Sequence, residues 1–183
     1  MSAVWLASGS PRRRTLLEWA GFAVEVHPPA VDETRHAGED PVVYAQRLAA
    51  TKVATGPGSR IALAADTIVH RGQILFDKPR DRAEASATLH ALSGGWHDVS
   101  TAVAITGTTP TTLVATTRVR FRDLSDAEIL AYLETGEADD KAGAYGIQGR
   151  AAVFVAEVQG SWTNVVGLPV ERVVPVLRAL GAS

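Results

Sequence analysis

The chain contains no cysteine and a single methionine among its 183 residues. Disulfides and cysteine-based zinc sites are therefore excluded. None of its five histidines forms a pair with the helical spacing of a histidine metal site, so structural or surface roles are expected for all of them, His97 in Gly94-Gly-Trp-His97 being the most suggestive. No stretch approaches the ~20 apolar residues of a membrane span, and the amino terminus lacks the charged start and long apolar run of a signal peptide. A cytoplasmic location is expected. Charge of one sign is also missing: the net charge is −2, which argues against a broad nucleic-acid or anionic-membrane footprint. Neither a Walker A loop nor a G-x-G-x-x-G fingerprint occurs, which disfavours a P-loop ATPase or an ordinary dinucleotide enzyme. There is no repeat, low-complexity tract or dividing linker.

What remains is an ordinary globular composition, 46% hydrophobic and 21% charged, expected to form one domain over residues 1–183. Ala3–Ala7 reads as a short buried strand and Ser8-Gly9-Ser10 as a turn. Ser10 and Pro11 are a cap and first helical residue. Phe22–His27 alternates like a strand. Asp40-Pro41 opens a helix to Ala54 with an apolar stripe through Val42, Ala45, Leu48, Ala49 and Val53. Ile61–Ala65 is a doubly buried strand, expected to end at Asp66-Thr67, and Ile68–Phe76 a tight hairpin. Asp81 and Ser125 each begin a capping-box pattern. Val99–Ile105 and Leu113–Phe121 are paired strands, Val153–Val158 another, and a last helix runs from Pro169 to Leu180. Strands alternating with helices around one antiparallel hairpin predict an α/β domain with a mixed sheet and flanking helices, bent into two lobes around a cleft.

The polar residues suggest where chemistry would sit. Arg12, Arg13 and Arg14 occupy the first turn of a helix, where the macrodipole disfavours cations by about 0.3–1 kcal/mol each. An incoming phosphate would reverse that penalty, since free amides and guanidinium forks both suit it. Arg14 has a surface partner four residues on, Glu18; Arg12 and Arg13 do not. They form either a phosphate cradle or a solvated basic corner. Asp66, after the run Ile-Ala-Leu-Ala-Ala, is either a turn cap or a carboxylate that holds a hard cation or takes a proton from water. Glu33, in the loop Asp32-Glu33, is its candidate partner in cation binding. Lys52 borders the apolar helix face, and Lys78 is held extended by Pro79; each is a solvated lysine or a ligand contact. Gln148, among the glycines of Lys141–Gly149, offers donor and acceptor in one plane, which suits a base edge.

These segments together closely resemble the Maf family of nucleoside triphosphate pyrophosphatases. The similarity runs from Ala-Ser-Gly-Ser-Pro-Arg-Arg through Ala65-Asp66-Thr67-Ile-Val, Lys78-Pro79 and Leu92-Ser-Gly. It continues through Asp140-Lys-Ala-Gly-Ala-Tyr-Gly-Ile-Gln-Gly149 and Gly160-Ser-Trp-Thr-Asn-Val-Val-Gly-Leu-Pro169. The resemblance implies a fold like that of inosine triphosphate pyrophosphatase, a divalent cation (Mg²⁺ or Mn²⁺), frequent homodimers, and cleavage of a nucleoside triphosphate to monophosphate and pyrophosphate. It implies that Asp66 is the catalytic acid/base and that Ser8, Arg12, Arg13, Glu33, Lys52 and Lys78 handle phosphate and metal. It assigns Arg12, Thr67 and Gln148 to base selection. The uninterrupted Asp140–Gly149 run is similar to the branch acting on dTTP and UTP, with modified pyrimidine nucleotides as further substrates. Asp77 and Trp162 depart from the Gly and Tyr of many members, and Asp77 puts the role of Lys78 in doubt. Three rival functions stand beside this one: a triphosphatase cutting the outermost phosphate, a non-catalytic nucleotide-binding regulator of septum formation, and a nucleic-acid-binding module.

Overall fold

A computed structural model describes residues 3–182. Among these residues a seven-stranded mixed sheet is flanked by helices, with strand order β2-β1-β3-β5-β6-β7 and β4 paired to β3. The strands are β1 (Val4–Leu6), β2 (Val24–Val26), β3 (Ala62–Arg71), β4 (Ile74–Phe76), β5 (Trp96–Ile105), β6 (Thr111–Phe121) and β7 (Val155–Gln159). The helices are α1 (Pro11–Trp19), α2 (Pro41–Val53), α3 (Arg82–Leu92), α4 (Asp126–Leu133), α5 (Trp162–Val166) and α6 (Val170–Ala179). Strands β1, β2 and the start of β3 are parallel, and the remaining pairings are antiparallel.

β3 is the element that positions everything else. The expected strand end at Asp66-Thr67 is not there: the strand runs on to Arg71, with Asp66 opposite Ala102 and Thr67 opposite Thr101 on β5. Continuous pairing with β5 carries the strand past the carboxylate. On its other edge β3 meets β1 only at Ala62–Leu63 and β4 only at Val69–Arg71. Residues 64–68 are therefore unpaired on that edge, and a break in the sheet opens where β1 turns away into α1.

Alternation along β3 sends Ala62, Ala64, Asp66 and Ile68 to one face and Leu63, Ala65, Thr67 and Val69 to the other. The first face packs on Tyr44, Ala45, Leu48 and Ala49 of α2. Small residues at Ala62, Ala64, Ala102 and Ala104 let that helix approach closely. The second face belongs to the main core, with Leu17, Leu63, Leu89, Val103, Phe121, Leu168 and Leu177. Truncating a fully buried residue such as Leu48 to Ala costs roughly 2–5 kcal/mol.

The helix starts at Asp40, Asp81 and Ser125 have the side-chain caps expected of them, and that at Ser10 does not. Asp40 accepts from Val42 and Val43, and Ser125 with Glu128 forms a complete capping box. Asp81 accepts from Glu84, but Glu84 turns to Arg80 instead of closing the box. Ser10 does not cap α1 through its side chain. Its own amide donates to Ser8 Oγ at 3.2 Å, and the first turn of α1 has no side-chain cap. Two further features differ from the sequence expectation. A short 3-10 turn at Arg150–Phe154 delays β7, and α5 fills the Ser161–Gly167 segment.

Candidate active site

Ser8, Arg12, Arg13, Glu33, Lys52, Asp66, Thr67, Lys78 and Gln148 all line one cavity of about 700 Å³ at the break in the sheet. Every site residue proposed from the sequence is thus brought to a single hollow, although the residues come from six separate segments. Arg14 is not among them; it pairs on the surface with Glu18 at 2.7 Å.

The floor on the α2 side is ionic. Lys52 lies three and four residues after Ala49 and Leu48, so the helix aims it inward beside them. Its ammonium does not extend to the outer surface. It is buried and donates to Asp66 Oδ1 at 2.7 Å, with Glu33 Oε1 at the same distance. Partial burial works to raise the Glu33 carboxyl, but the hydrogen bond and charge of Lys52, with Lys78 and Arg13 behind it, prevail and hold it below its ordinary value. Tyr44, one and two turns before Leu48 and Lys52 on the same stripe, secures the loop by donating to the Glu33 carbonyl at 2.8 Å. The signal for that hydroxyl in the sequence is the position of Tyr44 on the buried stripe of α2.

The opposite wall is held by Arg13. Its Nε donates to the Gly167 carbonyl at 2.9 Å, Nη1 to Ser8 Oγ at 3.0 Å and Nη2 to Thr67 Oγ1 at 3.0 Å. Burial lowers its pKa from the ordinary value, partly countered by the charge of Asp66. One guanidinium fork thereby ties α1, β3 and the end of α5 together, with two of its five N–H groups left over. Ser8 Oγ accepts from both Arg13 and the Ser10 amide, so its own proton is left to donate. Thr67 and Thr101 touch through their hydroxyls at 2.9 Å, and Thr101 donates to the Asn164 carbonyl at 3.0 Å. Asn164 and Gly167 carry no sequence signal beyond the family run that contains them, because their contacts arise only when α5 meets the sheet.

The rim is formed by the glycine-rich segment. Gly143 has a φ of +71°, and a Cβ there would come within 2.9 Å of Val69, so only glycine fits without strain. Tyr145 is buried beneath the segment with its hydroxyl 2.8 Å from His97 Nε2. Burial pushes the His97 imidazole down to about 3, so it is neutral, in the structural role expected. Gln148 is exposed at the rim, and Arg12 faces Asp140 at 3.7 Å. Asp77 stands beside Lys78. Desolvation against the cavity wall raises its carboxyl, and the like charges of Glu84 and Asp66 add to this against Arg35.

The lining carries five cations (Arg12, Arg13, Lys52, Lys78, Lys141) and five carboxylates (Glu33, Asp66, Asp77, Glu137, Asp140). A triphosphate entering such a balanced cavity brings a charge the side chains alone do not neutralise. Among the described residues no three histidines or carboxylates gather into a ready-made metal cage. The two carboxylates on Lys52 nevertheless fit a hard cation of the Mg²⁺ type, which takes one or two carboxylates and completes its shell with phosphate oxygens and water.

The sequence model of the Maf-like protein family matches residues 3–180. The chain belongs to the Maf family. Among its relatives, a dTTP/UTP pyrophosphatase of Myxococcus xanthus is 49% identical over 180 residues, covering 96% of this chain and 91% of that protein. A dTTP/UTP pyrophosphatase of Photorhabdus laumondii is 48% identical over 174 residues, 92% of this chain and 89% of that protein. Among solved structures, a HAM1 protein from Coxiella burnetii superposes with a TM-score of 0.55 over 98% of this chain and all of that one, at 16% identity. That likeness shows a shared fold. Of the Maf family motifs quoted from the sequence, all but Leu92-Ser-Gly, at the end of α3, contribute residues to the cavity lining.

Proposed function

We propose that this chain hydrolyses dTTP and UTP, together with modified pyrimidine nucleotides, to the nucleoside monophosphate and pyrophosphate. The observation that carries this reading is the meeting of two sets in one cavity: the α1 arginines with Lys78, and the Glu33–Lys52–Asp66 cluster. Relatives bearing the name of that activity over nearly the whole chain support it. In the same reading the break in the sheet separates two lobes of one domain, the triphosphate lies between them, and the protein acts in the cytoplasm as a homodimer.

Arg12, the unpartnered N–H groups of Arg13, the Ser8 hydroxyl and the uncapped first turn of α1 bind the phosphates, with Lys78 opposite. Donors already fixed in place stabilise charge as it develops on the leaving pyrophosphate. Glu33 and Asp66 would hold Mg²⁺ or Mn²⁺, which when bound supplies neutralisation of the phosphate oxygens. Lys52 fixes Asp66 by its Oδ1, and Oδ2 is the oxygen that orients the attacking water and takes its proton. Gln148 and Thr67 meet the base.

Product analysis tests this reading. The protein is incubated with dTTP or UTP and either Mg²⁺ or Mn²⁺, and pyrophosphate is separated from orthophosphate. Pyrophosphate with a monophosphate is expected. Orthophosphate with a diphosphate would establish cleavage of the outermost bond instead, and tight binding without products a regulator.

A further inference from the structure

We infer that Thr101, a fully buried residue of β5, decides which atom of Thr67 a nucleotide meets: with Thr101 in place, the Thr67 hydroxyl offers a lone pair and withholds its proton. This inference rests on the pyrimidine nucleotide reading above and supplies a positioning residue for it.

The direction follows from a chain of hydrogen bonds whose two ends have one polarity each. At one end, Arg13 Nη2 reaches Thr67 Oγ1 at 3.0 Å, and a guanidinium can only donate. At the other end, Thr101 Oγ1 lies 3.0 Å from the Asn164 backbone carbonyl, which can only accept. The single proton of Thr101 is committed there. The 2.9 Å contact between the two threonine hydroxyls must then be made by the proton of Thr67. Its alternative acceptor, the Gly167 carbonyl, is 3.5 Å away and already receives Arg13 Nε at 2.9 Å. At 3.5 Å that carbonyl is at the outer limit of a hydrogen bond, so Thr101 is the acceptor that holds the proton inward. The proton of Thr67 is turned into the protein, one lone pair is taken by Arg13, and one lone pair remains on a residue of the cavity wall.

The anchor of this chain is firm. Asn164 is wholly buried, and its Nδ2 donates to the Val99 carbonyl at 2.9 Å and to Thr117 Oγ1 at 3.0 Å. Its carbonyl therefore cannot swing away from Thr101 without breaking two further buried bonds, each loss leaving an unsatisfied polar group.

A lone pair selects a donor. Uracil and thymine present an N–H at ring position N3, whereas cytosine presents a bare lone pair there. The fixed polarity of Thr67 thus matches dTTP and UTP and opposes the cytosine nucleotides, and Thr101 enforces it without touching the ligand.

The test compares binding of the product nucleotides UMP and CMP by calorimetry, so that turnover does not intervene. Thr101→Val is isosteric and removes the acceptor, freeing Thr67 to donate. The preference for UMP over CMP is expected to fall about tenfold, the scale of one hydrogen bond, and Thr101→Ser is expected to restore it. An unchanged preference in folded Thr101→Val protein overturns the inference, even if that variant melts earlier. The wild type provides a second readout that needs no variant. When the N3 proton of UMP is titrated off in alkali, UMP affinity is expected to fall relative to CMP, and a constant ratio contradicts the inference. A wild type that releases pyrophosphate from dTTP yet binds UMP and CMP equally would sink this inference and leave the proposed activity standing.

Discussion

Asp66 and Thr67 are neighbours on one strand with side chains on opposite faces of the sheet, yet both open into the same cavity. Asp66 points to α2 and bonds Lys52, while Thr67 points to α1 and α5 and bonds Arg13 and Thr101. In a continuous sheet the two would be separated by backbone. Here the edge of β3 is unpaired between Leu63 and Val69, so a ligand seated in the break can reach both faces at once. In the proposed reading, a carboxylate for chemistry and a hydroxyl for recognition thus arrive from consecutive residues.

Lys52 is the counter-ion that lets two carboxylates share the floor. Lys52→Met is expected to lower kcat at least about a hundredfold, the scale of losing one placed electrostatic group. The Glu33 carboxyl should lose its depression and titrate higher, visible by NMR of labelled glutamate. Unfolding in urea should show a loss short of the ~3–5 kcal/mol of a sealed broken pair, because water reaches the cavity.

Arg13 makes three bonds in three directions, a geometry that an ammonium cannot copy. Arg13→Lys is expected to cost roughly 1–3 kcal/mol in urea unfolding and to weaken nucleotide binding. Arg14→Lys, on the exposed helix surface, should change neither by a measurable amount.

His97 gives stability a pH dependence. Its folded pKa is depressed to about 3, against about 6.5 in the unfolded chain. Between those values the unfolded state binds the extra proton, so the His97 contribution is intact above pH 6.5 and is lost as pH falls toward 3. The slope is at most about 1.4 kcal/mol per pH unit. His97→Gln should flatten the urea-derived stability profile in that window, and an unaltered slope would show that the imidazole is not buried neutral.

Gly143→Ala places a methyl group against Val69 and forces a side chain into a left-handed backbone. A loss of roughly 1–3 kcal/mol is expected. Val69→Ala in the same chain should recover only the steric share, so a double-mutant cycle by thermal melting separates the two terms.

Much of this was legible in the sequence because it is local. Caps at Asp40, Asp81 and Ser125, the hairpin at Arg71-Gly72, and the inward stripe of α2 are all set by residues within one or two turns. The motifs that resemble the family contain Ser8, Arg12, Arg13, Asp66, Thr67, Lys78 and Gln148 of the cavity lining, while Glu33 and Lys52 lie outside those runs. The end of β3 is not legible locally, because Asp66 looks like a terminator among its neighbours while its tolerance mid-strand depends on Lys52, fourteen residues away, and on β5 beyond. Ser10 stands in the cap position with the right residue type, but its side chain accepts no bond from the first turn of α1. The Thr67–Thr101–Asn164 chain joins β3, β5 and α5 across up to 97 positions, and no spacing rule reaches that far.

Asp66→Asn keeps the shape of the side chain and its contact distance while removing the proton acceptor. Single-turnover release of pyrophosphate from dTTP, measured beside dTTP affinity, tests the central claim most directly. The expected result is loss of at least about a thousandfold in rate, with affinity within a few-fold of wild type. Wild-type pyrophosphate release from the variant would contradict the placing of the chemistry at this carboxylate.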